Sequence, residues 1–247
     1  MRIAIVALLL VASTTVDGLA APRARTSRSA SEPTGSPRGA TNAPGATRDR
    51  VGSLGSQATC PTAPAPVLRT GQVTAFGPGT DGELRLGADP SYRDPGDGTI
   101  VDQRTGLVWE KKSNDGSVHD LDNVYTWGLS VAPYTMNGPI VSDFLAQLNT
   151  KPCFAGQCDW RIPNLRELQT LANYERVNPA TWDEFSRDCS EGCTVLTCSC
   201  TNGVPTWTST THRLSPRDAW AVHFTNGQPA GTVKTRRSAV RAVRGGR

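Results

Sequence analysis

The chain has 247 residues, with 26 Lys plus Arg against 22 Asp plus Glu, 37% hydrophobic and 19% charged residues, enough for one or two domains and too polar for a polytopic membrane protein. Its 6 Trp imply at least one region able to build a core, which excludes a wholly disordered chain. The net charge of +4 is local: residues 21–50 hold six Arg against Glu32 and Asp49, Arg2 and Asp17 cancel, and 51–247 carry 19 basic and 19 acidic residues, a balance that argues against a nucleic-acid partner.

Arg2 precedes the apolar run Ile3 to Ala12 and a polar stretch ending Gly18-Leu19-Ala20. That pattern predicts a secretory signal peptide over 1–20, cleaved after Ala20. The run is about half the roughly 20 residues that a spanning helix needs, and no second such stretch follows. Cleavage therefore leaves an exported chain without a transmembrane segment, destined for secretion, the periplasm or the cell surface. No Cys follows the cleavage point until Cys60, against lipid anchoring. Residues 21–66 are Ala, Pro, Gly, Ser, Thr and Arg with almost no large apolar side chain, and read as a disordered linker.

The folded domain is expected over 67–247, with its core over 94–245. Thr99 to Val101 and Leu107 to Lys111 flank a turn whose Gly106 can supply a positive φ, which predicts a hairpin with Leu107 and Trp109 on one face. Ile140, Val141, Phe144, Leu145 and Leu148 recur at helical spacing, so Ile140 to Asn149 reads as an amphipathic helix. A second helix follows Pro163, with Asn164 as N-cap, Glu167 completing a capping box, and Leu165, Leu168 and Leu171 as its apolar stripe. Short strands are expected at Thr206 to Ser209, Ala219 to Phe224 and Ala239 to Val243. Two helices framed by short strands indicate an α+β fold.

The motif series Asp97-Gly-Thr-Ile-Val-Asp-Gln-Arg-Thr-Gly-Leu-Val-Trp109, Tyr125-Thr-Trp, Asp159-Trp-Arg-Ile-Pro-Asn-Leu-Arg-Glu-Leu168, Trp207-Thr-Ser-Thr, Ala219-Trp-Ala-Val-His-Phe-Thr-Asn-Gly227 and Val240-Arg-Ala-Val-Arg244 resembles the Lcl C-terminal domain family. The resemblance runs from about residue 94 to 245. It implies a C-type-lectin-like fold, and a function like that of the adhesin for which the family is named, whose domain binds sulfated glycosaminoglycans behind a trimerising collagen-like stalk. Residues 21–66 lack a Gly-X-Y period, so the stalk and its trimerisation are not implied here.

Seven Cys in an exported chain point to disulfides. Cys153 and Cys158 form the simplest pair. Cys198 and Cys200 are too close in sequence to bond each other without strain, so Cys189 and Cys193 are expected to bond with Cys198 and Cys200 across a small loop. Cys60 is left free, intermolecular, or paired within that group. The alternative is a zinc site from the four thiols, but their x3, x4 and x1 spacing is not the paired C-x2-C form and export favours oxidation.

No catalytic motif emerges. His119, His212 and His223 sit in no zinc-binding helix motif, and there is no nucleophile elbow or phosphate-cradling Gly loop. Ser209 beside His212 reads as turn chemistry, His223 as a surface histidine, and Asp94, Asp97, Asp120 and Asp122 as turn aspartates outside any EF-hand spacing. The electrostatic anomaly is the C-terminus: 219–247 hold Lys234, Arg236, Arg237, Arg241, Arg244 and Arg247 and no acid. The first five of these form a candidate binding site, because clustered guanidiniums bond sulfate and carboxylate bidentately. The competing reading pairs them with the acidic surplus of 51–133, ten acids to six bases. Trp160, Trp207 and Trp220 are expected to be structural rather than sugar-stacking. The sequence therefore reads as an exported, non-enzymatic module without cofactor that binds an anionic polysaccharide. The alternatives are an envelope-assembly module binding a surface protein and a Cys-dependent oxidase on a related fold.

Overall fold

A computed structural model describes residues 67–246. The expected signal peptide, the linker, Cys60 and Arg247 lie outside the described residues. The fold is α+β, dominated by short strands. One sheet runs in the order β1 (Tyr92–Arg93), β2 (Thr99–Asp102), β3 (Val108–Glu110) and β9 (Val243–Arg244), all antiparallel. The other runs β4 (Val124–Thr126), β8 (Arg237–Ala239), β5 (Pro205–Thr211), β6 (Asp218–His223) and β7 (Gln228–Val233), with β5 and β8 parallel.

The expected hairpin is β2–β3, and Gly106 in its turn has φ 72°. Leu107 and Trp109 are buried as expected, but Glu110 on the opposite face is buried too, because β3 is covered on both sides. β6 explains why two cores are needed. Its odd positions Ala219 and Ala221 face a cluster holding Trp127, Phe144, Trp160 and Trp207, while Val222 and Phe224 face one holding Trp109, Leu168, Leu171 and Phe185. Strand alternation thus divides the apolar side chains between two layers.

The helices are shorter than their apolar stripes. A brief α1 (Asp81–Leu84) lies in the arm that enters the domain. The helix expected over Ile140–Asn149 begins as a π-helix, Ile140–Leu145, and becomes α2 (Ala146–Asn149). Ile140, Phe144 and Leu148 are all buried. Their strict four-residue repeat exceeds the α period, and the wider π turn keeps all three on the core face. α3 (Leu165–Gln169) carries the expected capping box, with the Asn164 side chain accepting from the Glu167 N–H and Glu167 accepting from the Asn164 N–H.

The segment expected as one strand from Ala239 to Val243 is instead split between β8 and β9, which belong to different sheets. β7 went unpredicted: Pro229 and Gly231 disguise it, and Pro is tolerated because β7 is an edge strand. The arm before β1 packs rather than trails. Leu68 bridges Ala88, and the Glu175 carboxylate accepts the N–H groups of Val73 at 2.8 Å and Thr74 at 3.0 Å. Among the described residues, no helix is long and apolar enough to cross a membrane.

Candidate functional site

The basic C-terminus does not assemble as one exposed face. Lys234 is fully buried. Its ammonium donates to the Tyr134 carbonyl at 2.8 Å and to Thr211 Oγ1 at 3.0 Å, and lies 4.0 Å from the centre of the Trp127 ring. Arg241 is buried as well, donating to the carbonyls of Glu110 and Cys200 and to Thr201 Oγ1 at 2.6–2.8 Å. Neither can reach an external anion, which corrects their placement in the binding site. Arg244 is spoken for by Asp159, at 2.6 Å. Arg236 and Arg237 remain exposed, Arg237 donating to the Val124 carbonyl. Internal hydrogen bonds and an ion pair thus take up three of the five, but not in the way the competing expectation had it: Lys234 and Arg241 donate to carbonyls and hydroxyls, and Arg244 pairs with Asp159, outside the acidic surplus of 51–133. Arg241 falls in the crossover between β8 and β9, where its neighbours Val240 and Ala242 are buried as well.

Arg241 belongs to a buried polar cluster centred on Glu110. One Glu110 carboxylate oxygen lies 2.7 Å from His119 Nδ1 and 3.2 Å from Lys112 Nζ, and the other accepts the Ala242 N–H at 2.8 Å. Burial pushes the Glu110 carboxyl upward, but the Lys112 charge, the His119 hydrogen bond and the Ala242 N–H outweigh it and hold it below its ordinary value. Burial likewise depresses Lys112, against the pull of Glu110, and brings Arg241 down to about 10. A carboxylate and two cations sealed in a core can persist only because each is hydrogen-bonded.

Next to this cluster, three disulfides brace the surface: Cys153–Cys158, Cys189–Cys200 and Cys193–Cys198. They match the expected pairings and resolve which of Cys189 and Cys193 takes which partner. The knot loop is also pinned by its backbone, since Arg187 and Ser199 exchange N–H···O bonds at 2.8 and 2.9 Å and Cys200 N–H donates to the Lys112 carbonyl at 2.8 Å.

Beside the knot opens a cleft of about 360 Å³, lined by Tyr92, Asp94, Lys111, Glu184, Arg187 and Asp188 together with residues 196–199. Asp94 and Lys111 are ion-paired at 2.8 Å. Burial pushes Asp94 up, but the Lys111 hydrogen bond, the Gly96 N–H and the nearby charges of Lys111 and Arg187 together keep its carboxyl below the ordinary range. Arg187 and Asp188 are exposed and Glu184 is half-buried, so the cleft offers both signs of charge to solvent. The Tyr92 hydroxyl donates to the Thr170 carbonyl, and its ring packs edge-on against Phe185 at 4.9 Å, fixing one wall. Sequence reasoning missed this site. Its residues come from separate segments, and the early signals within it were Asp94, read as a turn aspartate, and Cys198, read as a disulfide partner.

The remaining expectations sort simply. Asp97 and Asp120 accept local N–H groups, as turn aspartates do. His212 accepts the Ser215 N–H on Nδ1, whereas Ser209 Oγ faces the Pro163 carbonyl, so no Ser–His pair forms. His223 is half-buried, and burial with the charge of Arg236 lowers its pKa. Trp160 and Trp207 are buried and donate to the carbonyls of Phe154 and Tyr125, while Trp220 is half-buried against His212.

Fold and site together define a disulfide-braced α+β domain with a rigid, charged surface cleft. The profile of the Lcl C-terminal domain matches residues 98–244, more than half of the chain, and the protein belongs to that family. No curated protein matches the chain in sequence.

Proposed function

We propose that the protein is an exported, non-enzymatic binding module that recognises a cell-surface glycan through a C-type-lectin-like domain. The cleft beside the disulfide knot carries this reading. Its size lies at the lower end of small-ligand pockets. Its free carboxylates and guanidinium suit the hydroxyl-rich surface of a sugar, because charged groups make the stronger hydrogen bonds to neutral partners. Disulfides on one wall keep those groups in place, which lowers the ordering cost of binding. Export is supported by the leader-like N-terminus and by disulfides that require an oxidising compartment. Anionic groups on the glycan would meet Arg187 in the cleft and Arg236 and Arg237 outside it.

The test is binding of the full chain to sulfated, carboxylated and neutral glycans at two salt concentrations. Glu184→Gln with Asp188→Asn, and Arg187→Ala, should abolish capture, while Arg236→Ala with Arg237→Ala should mainly weaken its salt dependence. A folded chain that captures no glycan overturns the reading. A second reading, a surface-protein partner, is favoured by one observation: Leu129 and Val131 are exposed near an open groove lined by Gly128, Leu129 and Pro139.

A further inference from the structure

The two disulfides of the knot touch. Cys200 Sγ lies 3.8 Å from Cys193 Sγ and 3.8 Å from Cys198 Sγ, neither of which is its bonded partner. The sulfurs of Cys189, Cys193 and Cys200 all fall within 4.8 Å of one another. In a tetrahedral zinc tetrathiolate with bonds of about 2.3 Å, the sulfurs stand roughly 3.8 Å apart. Two of the sulfur separations already have that length, and opening each disulfide lengthens a bonded pair toward it.

Two further observations favour thiolates here. The backbone holds the four cysteines together without their S–S bonds: Arg187 and Ser199 pair, Asn114 N–H donates to the Cys193 carbonyl at 2.9 Å, and Gly192 N–H to the Asn114 carbonyl at 2.7 Å. A buried cation also stands close by: the Arg241 guanidinium donates to the Cys200 carbonyl at 2.6 Å. Nearby fixed cations favour thiolate over thiol.

We propose that the reduced chain binds one zinc ion through Cys189, Cys193, Cys198 and Cys200, so that the knot has two alternative braces, disulfide when oxidised and zinc when reduced. Two molecules of a dithiol reductant each deliver two electrons and two protons, breaking the two S–S bonds and becoming cyclic disulfides themselves. The four thiols then release four protons as their sulfurs bind the metal. Cys153 and Cys158 take no part.

The test uses the full chain carrying Cys60→Ser, reduced with a dithiol, freed of it under anaerobic conditions and titrated with cobalt(II). One equivalent should produce the visible bands and near-ultraviolet charge transfer of a tetrahedral tetrathiolate, and zinc should bleach them. The oxidised chain should give none. Cys193→Ser should lose the tetrathiolate spectrum, while Cys153→Ser with Cys158→Ser should keep it. Should reduction unfold the chain, zinc must restore its far-ultraviolet circular dichroism. A chain whose Cys189, Cys193, Cys198 and Cys200 are confirmed as free thiols and that gives no such bands overturns the proposal, as does a spectrum unchanged by Cys193→Ser.

Discussion

The Arg241 guanidinium donates to the main-chain carbonyl of Glu110 at 2.8 Å, and the Glu110 carboxylate in turn accepts the N–H of Ala242, the residue after Arg241. This reciprocal clasp joins β3 to the crossover between the two sheets and, through Arg241 and Cys200, to the disulfide knot. Arg241→Ala leaves the Glu110 and Cys200 carbonyls without their donor in a sealed core. The expected loss is about 3–5 kcal/mol of unfolding free energy, read as a lower urea midpoint.

Glu110 makes stability depend on pH. Its folded pKa is lowered, so the carboxylate stabilises the fold above its unfolded value and that contribution is lost as pH falls through the folded value. The protein should therefore lose stability as pH drops below about 4.5, its ordinary value. Glu110→Gln should be less stable at neutral pH, since Lys112 loses its counter-charge, and its stability should fall less steeply with acid. Denaturant unfolding of both proteins between pH 7 and pH 3 checks this, and parallel curves would remove Glu110 as the source.

The disulfides should differ in weight because they close loops of different length. Cys153–Cys158 and Cys193–Cys198 each span 5 residues and Cys189–Cys200 spans 11. Chain-entropy arguments give about 2 kcal/mol for the short loops and about 3 kcal/mol for the long one. Paired Cys→Ala variants compared by denaturant midpoint should rank in that order, and a non-reducing peptide map should recover the same three pairs.

The parts of this fold that could be read from sequence are those fixed by neighbours along the chain. Asn164 and Glu167 form their capping box within a single turn, Gly106 answers the demand of its own hairpin turn, and Cys153 pairs with its near neighbour Cys158, whereas the order of pairing within the four-cysteine knot came only with the structure. What stayed hidden depends on partners far away. Arg241 is neutralised by groups 131 and 41 positions distant, and Lys234 by a carbonyl 100 positions distant. A cation looks the same in sequence whether it meets water or a buried carbonyl. The knot cleft was equally illegible, because Tyr92, Lys111 and Arg187 converge only once the sheet and knot exist.

Lys234, Arg236 and Arg237 lie within four positions of one another and provide the sharpest contrast between a structural and a ligand-facing cation. Lys234 is sealed over the Trp127 ring and satisfies Tyr134 and Thr211, so Lys234→Ala removes a packed side chain and leaves two half-buried acceptors without their donor. The expected cost is about 2–3 kcal/mol. Arg236 and Arg237 are exposed, and replacing both with Ala should move stability by about 0.5 kcal/mol or less each. In salt-dependent glycan binding the order should invert. The arginine pair should flatten the salt slope, whereas Lys234→Ala, measured well below its melting temperature, should leave that slope unchanged. Equal effects of all three on binding would mean that the buried lysine and the exposed arginines act through one element, the turn between β7 and β8.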